Sequence, residues 1–175
     1  MSLLHRFLLV APVLALSILF DQVTKAVAGS TLSPLISTAY LDGVLKFIYT
    51  ENTGIMFSIG IGLPDTLKYG LFTLLPSLLF VVFLVTIFVR QEMSRLALIA
   101  CSLIIGGGMS NVIDRLVNDG AVIDFIYLDL WGRLTGIFNI ADVAISAGSA
   151  VLLIHTLVRL AKVKLGAQDQ FLDRV

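Results

Sequence analysis

The stretch from Tyr69 to Val89 contains no charged residue and is long enough to cross a membrane. A membrane helix needs roughly 20 apolar residues to span the hydrocarbon core. Three further stretches come close: Phe7 to Phe20, which can continue through Asp21 to Ala28; Leu96 to Met109, running on through Asn111 and Asp114; and Phe138 to Leu160, with Asp142 near its start. The expected fold is an α-helical membrane protein with spans at about 7–28, 69–89, 96–114 and 138–160. Composition agrees, because only 14% of the 175 residues are charged, against roughly 25% in soluble domains. A mean hydropathy of +0.99 excludes a disordered chain and a water-soluble enzyme. Twelve basic residues balance twelve acidic ones and no basic run appears, so no nucleic-acid partner is expected.

Charge sets the expected orientation. Arg6, Arg90, Arg95, Arg159, Lys162, Lys164 and Arg174 flank the termini and the short connection after the second span. The other two connections, 29–66 and 115–137, are richer in acids. Basic loops stay in the cytoplasm, so both termini are expected there, with 29–66 and 115–137 facing outward. The N-terminus imitates a cleavable signal peptide, with His5 and Arg6, an apolar run, then Ala26-Val27-Ala28. An uncleaved span is the better reading, since cleavage would strand half of a polar motif. Both outward segments hold alternating stretches, Val44 to Tyr49 and Val122 to Leu130, that predict strands. Asp42-Gly43 and Trp131-Gly132 read as turns. A small outward-facing β element is therefore expected, with Trp131, Tyr127, Tyr40 and Tyr49 suited to the interface. No linker divides the chain, so residues 1–175 read as one integral-membrane domain.

Ionisable residues inside spans are expensive and usually face a protein interior or a wet site. Here they cluster at the outward ends of the first, third and fourth spans. Asp21 and Lys25 are four apart and can pair on one helix face. Asn111 with Asp114, and Asn139 with Asp142, each place an amide beside a carboxylate at a spacing of three. Arg115 can neutralise or fork-bond a carboxylate. The second span contributes nothing polar and reads as a packing wall. For Asp21, Lys25 and Arg115, interhelical glue is the favoured role. Asp114, Asp124 and Asp142 remain as three carboxylates near one depth, with only Lys25 and Arg115 as nearby bases. Two acids sharing a site keep one protonated and one ionised, which suits activation of water and protonation of a leaving amine.

Other chemistries find little support. His5 and His155 fall on the cytoplasmic side, so a Ser–His–Asp triad is not expected. Ser17, Ser110 and Ser146 carry no local signature for a Ser–Lys site. Cys101 sits in an apolar stretch without a base and reads as a core thiol. Ligands for zinc are lacking. Gly106-Gly107-Gly108 is not followed by the Lys-Ser/Thr of a phosphate loop and reads instead as a close-packing surface. No metal or cofactor is called for.

The residues also resemble a family. Asp21-Gln22-Val23-Thr24-Lys25 is similar to a D-Q-x-x-K signature, and Asn52-Thr53-Gly54-Ile55-Met56-Phe57-Ser58 to an N-T-G-x-x-F-S loop. Gly106 to Arg115 resembles a G-G-x-x-x-N-x-x-D-R block, Val122 to Phe125 a V-x-D-F motif, and Phe138 to Asp142 an F-N-x-A-D motif. In this order they resemble the bacterial lipoprotein signal peptidases, or signal peptidase II. The resemblance implies an intramembrane aspartic endopeptidase of the bacterial inner membrane, with Asp124 and Asp142 as the catalytic pair. Spacing alone leaves Asp114 and Asp124 as alternatives. Asn52, Gly54, Phe57, Asn111, Asp114, Arg115, Asn139, Asp21 and Lys25 map to supporting or substrate-binding positions. The implied substrate is a pre-lipoprotein whose cysteine already carries diacylglycerol, cut just before that cysteine. Membrane lipid is the other expected partner, and a monomer is expected. Ile55 and Met56 stand where small residues are expected, and Ser110 where Gly is, so all three are expected to reshape the pocket. Two alternatives fit the same polar cluster: a small proton-coupled transporter, although no internal repeat is visible, and a non-catalytic lipoprotein-binding paralogue. The long segment 29–66 is a candidate lid.

Overall fold

The computed structural model describes residues 1–54, 60, 62–90 and 92–172, with residues 164–172 as backbone alone. Among the described residues, four helical segments are long and apolar enough to cross a membrane. They are α1 (Leu3–Thr31), a continuous segment made of α2 (Asp65–Lys68), a wide turn over Tyr69–Leu74 and α3 (Leu75–Val89), then α4 (Arg95–Val117) and α5 (Ile140–Leu172). The helices extend past the expected spans, and two of them start early at polar caps. Ser2 caps α1 through His5 N, and Ser94 caps α4 through Ala97 N. The wide turn has a local cause: Leu75 N–H reaches the carbonyl of Gly70, five back, just ahead of Pro76, which has no N–H to donate.

The helix α4 is the centre of the bundle. In its apolar window 56% of residues are buried, against 11%, 11% and 6% in the other three. Its three glycines explain how three neighbours approach at once. Successive residues on a helix point about 100° apart. A Cβ at Gly106 would meet Ser17 on α1, one at Gly107 would sit 2.5 Å from the Ala141 carbonyl oxygen on α5, and one at Gly108 would enter the Phe80 ring on α3. Gly148 on α5 answers them, where a Cβ would lie 2.6 Å from the Ala100 carbonyl oxygen. Lipid tails supply no hydrophobic drive between helices, so close backbone approach of this kind holds them.

The two ends of the bundle differ. At the end where α4 begins, Val10, Ile87, Leu98, Cys101 and Ile105 form a buried apolar cluster. Arg6 is buried beside it and donates from Nη1 to the carbonyls of Ile87 (2.8 Å) and Arg90 (2.5 Å) at the C-terminus of α3. Ser77 and Thr86 of α3 bond carbonyls of their own helix, in keeping with a packing wall.

At the other end lies a four-stranded antiparallel sheet in the order β1-β2-β3-β4. Its strands are β1 (Thr38–Tyr40), β2 (Leu45–Asn52), β3 (Val122–Leu130) and β4 (Arg133–Leu134). The two long strands match the alternating stretches. The two outer strands are too short to show any period. Asn52 pairs with Val122 and Leu45 with Leu128, with a register shift between Phe47 and Thr50. Phe138 bridges to Ile126, so the chain entering α5 runs beside β3.

Candidate active site

The polar residues gather where α1 and α4 end and α5 begins. Each helix faces the others through small or polar side chains, so the carboxylates enter one buried volume. Four of them meet there, in two kinds of environment.

Asp21 and Asp114 share a cation. Lys25 Nζ lies 2.6 Å from Asp21 Oδ2 and 2.7 Å from Asp114 Oδ2, and all three side chains are buried. Each of these acids also holds a backbone amide next to another acid. Ala141 N donates to Asp21 Oδ1 at 2.7 Å, one residue before Asp142. Ile123 N donates to Asp114 Oδ2 at 3.0 Å, one residue before Asp124. The paired acids thus fix the backbone that carries the other two.

Asp124 and Asp142 touch amides only, among the described residues. Asp124 accepts from Asn52 Nδ2 at 3.0 Å and from Asn139 Nδ2 at 2.7 Å. Asp142 accepts from Asn111 Nδ2 at 3.1 Å and from Asn139 N at 3.1 Å. Asn139 is the N-cap of α5, and its Oδ1 accepts from Asp142 N at 3.0 Å. The Asn139–Asp142 pair is therefore a reciprocal cap, with the carboxylate in the first turn. Asn111 joins the two halves, since its Oδ1 accepts from Lys25 Nζ at 2.8 Å and from Asn139 Nδ2 at 3.1 Å. Burial pushes the Asp124 carboxyl up to about 6; the charge of Asp142 adds to this, while Asn52, Asn139 and Lys25 oppose it.

Gly54 lies against this cluster and is clamped at both ends. Its N donates to Asn52 Oδ1 at 3.0 Å, and its carbonyl accepts from Arg115 Nη2 at 2.8 Å. That corrects the expectation for Arg115. It is within electrostatic reach of Asp124, Asp114 and Asp142, but makes no ion pair among the described residues. Lys25 already occupies the position beside Asp114, and the guanidinium turns to the loop carbonyl instead. Ser110 is also corrected. It does not line an opening: it is fully buried, donates to Asp21 Oδ2 at 2.7 Å and accepts from Gln22 Nε2 at 3.1 Å. Phe57, Ile55 and Met56 lie outside the described residues.

Three participants escaped the sequence reading. Gln22 donates to Asp114 Oδ1 at 2.8 Å, and its place beside Asp21 in the first polar block was the available signal. The N–H groups of Ile123 and Ala141 have no side-chain signature at all. A groove of about 520 Å³ at the opposite end is lined by Leu96, Val151, Ile154 and Val158 with His155, Arg159 and Lys162, and holds none of these acids.

Comparison with known proteins agrees with this architecture. The sequence model for signal peptidase (SPase) II matches residues 13–158. A lipoprotein signal peptidase of Chlorobium phaeobacteroides (strain BS1) is 40% identical, covering 80% of this chain and 90% of that protein. One of Borrelia hermsii (strain HS1 / DAH) is 34% identical, covering 80% of this chain and 84% of that protein. A solved bacterial membrane enzyme superposes with a TM-score of 0.74 at 26% identity, covering 85% of this chain and 92% of that one. A second, at 24% identity, shares the fold with a TM-score of 0.76 over 87% of this chain and 90% of that one. The chain is a multi-pass membrane protein and belongs to the signal peptidase II family.

Proposed function

We propose that this signal peptidase II family member is an aspartic endopeptidase that removes signal peptides from diacylglyceryl-modified pre-lipoproteins, cutting just before the lipidated cysteine. The observation that carries this reading is the division among the four acids. Asp21 and Asp114 are both ion-paired with Lys25, whereas Asp124 and Asp142 have amide partners among the described residues and are free for proton transfer. The names of the relatives supply the substrate class.

In the proposed reaction the Asp142 carboxylate takes a proton from water, and the water oxygen attacks the scissile carbonyl carbon. Asp124, whose carboxyl is pushed up to about 6, gives its proton to the leaving nitrogen as the C–N bond breaks. The products are a signal peptide with a new carboxylate and a lipoprotein with a free cysteine amine. Hydrolysis by such a pair needs no cofactor. Gly54, held by Asn52 and Arg115, offers backbone beside Asp124 for the substrate chain, and the family motif assigns Phe57 to substrate contact. The enzyme sits in the bacterial inner membrane as a monomer of one domain. Its termini are cytoplasmic and its acids lie at the outer face, where the lipid anchors the scissile bond.

The test is a gel-shift assay with purified protein and a diacylglyceryl-modified pre-lipoprotein. Wild type should release the signal peptide. Asp124→Asn and Asp142→Asn should each be slower by about 10⁴-fold or more. Substantial cleavage by either folded variant would sink the aspartic assignment. Binding without turnover by wild type would favour the non-catalytic alternative.

A further inference from the structure

The sheet carries an oddity at the end remote from the acids. A tight hairpin turn needs positive φ, which Gly, Asn and Asp accept readily and large apolar residues do not. Asp42, Gly43 and Gly132 follow this rule. Leu41 and Trp131 do not, with φ of 51° and 54°. For bulky side chains such a backbone is a genuine outlier. Burial does not compensate either of them. Leu41 is 72% exposed and Trp131 is 97% exposed.

Both residues stand on the same edge. Leu41 lies in the turn joining Tyr40 to Leu45, and Trp131 in the turn joining Leu130 to Arg133. Asp129 N donates to the Val44 carbonyl at 2.8 Å, so the two turns lie side by side on adjoining hairpins. Strand spacing puts their centres about 10 Å apart. Six residues of strand separate Asp124 from Leu130, so this edge lies about 20 Å along β3 from the acids.

Two strained positions thus hold large apolar side chains that touch little of the chain itself. A residue that suits neither its backbone nor its own core answers to a surface outside the chain. We infer that Leu41 and Trp131 form a two-pronged anchor that enters the headgroup region of the bilayer crossed by the helices. Two features select lipid as the occupant. The sheet is continuous with the spans: α1 ends at Thr31 and β1 begins at Thr38, while α4 ends at Val117 and β3 begins at Val122. Indole rings favour the membrane interface, where the ring is dry and the N–H is wet. The net charge does not oppose this, since exposed Arg133 beside Trp131 offsets exposed Asp42 beside Leu41 and the nearby Asp129 is already paired with Lys46 at 2.8 Å. The anchor sets how the sheet lies against the membrane, and with it the placement of the Asn52–Asp124 end over the helices.

Trp131 is the sole tryptophan in the sequence, so its emission reports the tip directly. Full-length protein would be reconstituted in phosphatidylethanolamine/phosphatidylglycerol vesicles. The expected result is emission to the blue of free N-acetyltryptophanamide, protection from aqueous acrylamide, and stronger quenching by lipids brominated near the headgroup than near the chain end. In Leu41→Asn, which suits positive φ, Trp131 should lose much of that shallow quenching while the protein stays folded. Water-like emission with full acrylamide access and no bromolipid quenching would overturn the anchor. Protection that arises only on adding a pre-lipoprotein peptide would overturn it too, by assigning the tip to a polypeptide partner. Unchanged quenching in Leu41→Asn would overturn the two-pronged form.

Discussion

Four aspartates lie within one buried network, yet two are ion-paired to one lysine and two bond only amides among the described residues. Asp21 and Asp114 share Lys25 and spend their remaining oxygens on the N–H groups of Ala141 and Ile123. Asp124 and Asp142 stand one residue further along those same backbones. They meet Asn52, Asn111 and Asn139 instead. The difference teaches a division of labour by counter-charge. A buried carboxylate paired with a lysine at 2.6–2.7 Å makes a rigid strut. One with neutral donors can change its proton.

The largest expected effect breaks the paired side. Lys25→Met leaves two buried carboxylates without their cation, and stability should fall by about 3–5 kcal/mol. Thermal unfolding in detergent should show a collapsed midpoint; a midpoint near wild type would remove Lys25 from the centre of the account. Gly107→Ala comes next. Its Cβ would lie 2.5 Å from the Ala141 carbonyl oxygen, so α5 must move. We expect a stability loss of about 1–3 kcal/mol, and about a 100-fold slower cleavage from displacing Asp142 by an ångström. Near-normal turnover would show that the first turn of α5 tolerates that shift.

Ser110→Ala sharpens the comparison more gently. It removes one donor from Asp21, which keeps Lys25 and Ala141 N. The expected loss is about 1 kcal/mol of stability, read as a lower thermal midpoint in detergent. In an Asp21→Asn background the same change should add almost nothing, and full additivity in that double-mutant cycle would contradict a role through Asp21.

The smallest effect is a shift in pH dependence. With Asp124 protonated as the acid, kcat/KM should fall as pH rises through the upper apparent pKa of the pair, about 6 in the free enzyme. Asn52 donates to Asp124 and favours its ionised form, so Asn52→Ala should move this limb to higher pH. A limb that moves down, or stays, would transfer the titration to another group. The same value has a stability consequence. An unfolded Asp titrates near 3.9, and Asp124 is raised to about 6 when folded. Its contribution to stability is therefore fully present below the unfolded value and is lost as pH rises through the folded one.

Much of this arrangement was readable along single helices. Spacing of four gave the Asp21–Lys25 pair and spacing of three the Asn139–Asp142 pair, whereas Asn111, three before Asp114, gives its amide to Asp142 on another helix. Between helices the reading stopped. Nothing in the order of residues says that Lys25 turns toward Asp114 rather than Asp124; spacing left those two acids equivalent, the family resemblance pointed to Asp124, and the packing of α1 on α4 puts Lys25 beside Asp114. Arg115 looked like a carboxylate partner because it adjoins Asp114, yet neighbouring residues point about 100° apart on a helix, and its side chain reaches Gly54. Ser110 looked like a change in the pocket, and packing turned it into a bond between helices. The strands β1 and β4 were invisible because two or three residues cannot display a period of two.

Changing each of the four acids to Asn, one at a time, tests the central claim most directly. Thermal midpoint and cleavage rate of a lipidated pre-lipoprotein would be measured on the same preparations. Asp21→Asn and Asp114→Asn should lower the midpoint while retaining measurable cleavage. Asp124→Asn and Asp142→Asn should keep the midpoint and lose the cleavage, with Asp124→Asn raising the midpoint above pH 6. Cleavage that survives in either of the latter, or is abolished in a stable Asp114→Asn protein, would contradict the division between acids that hold and acids that react.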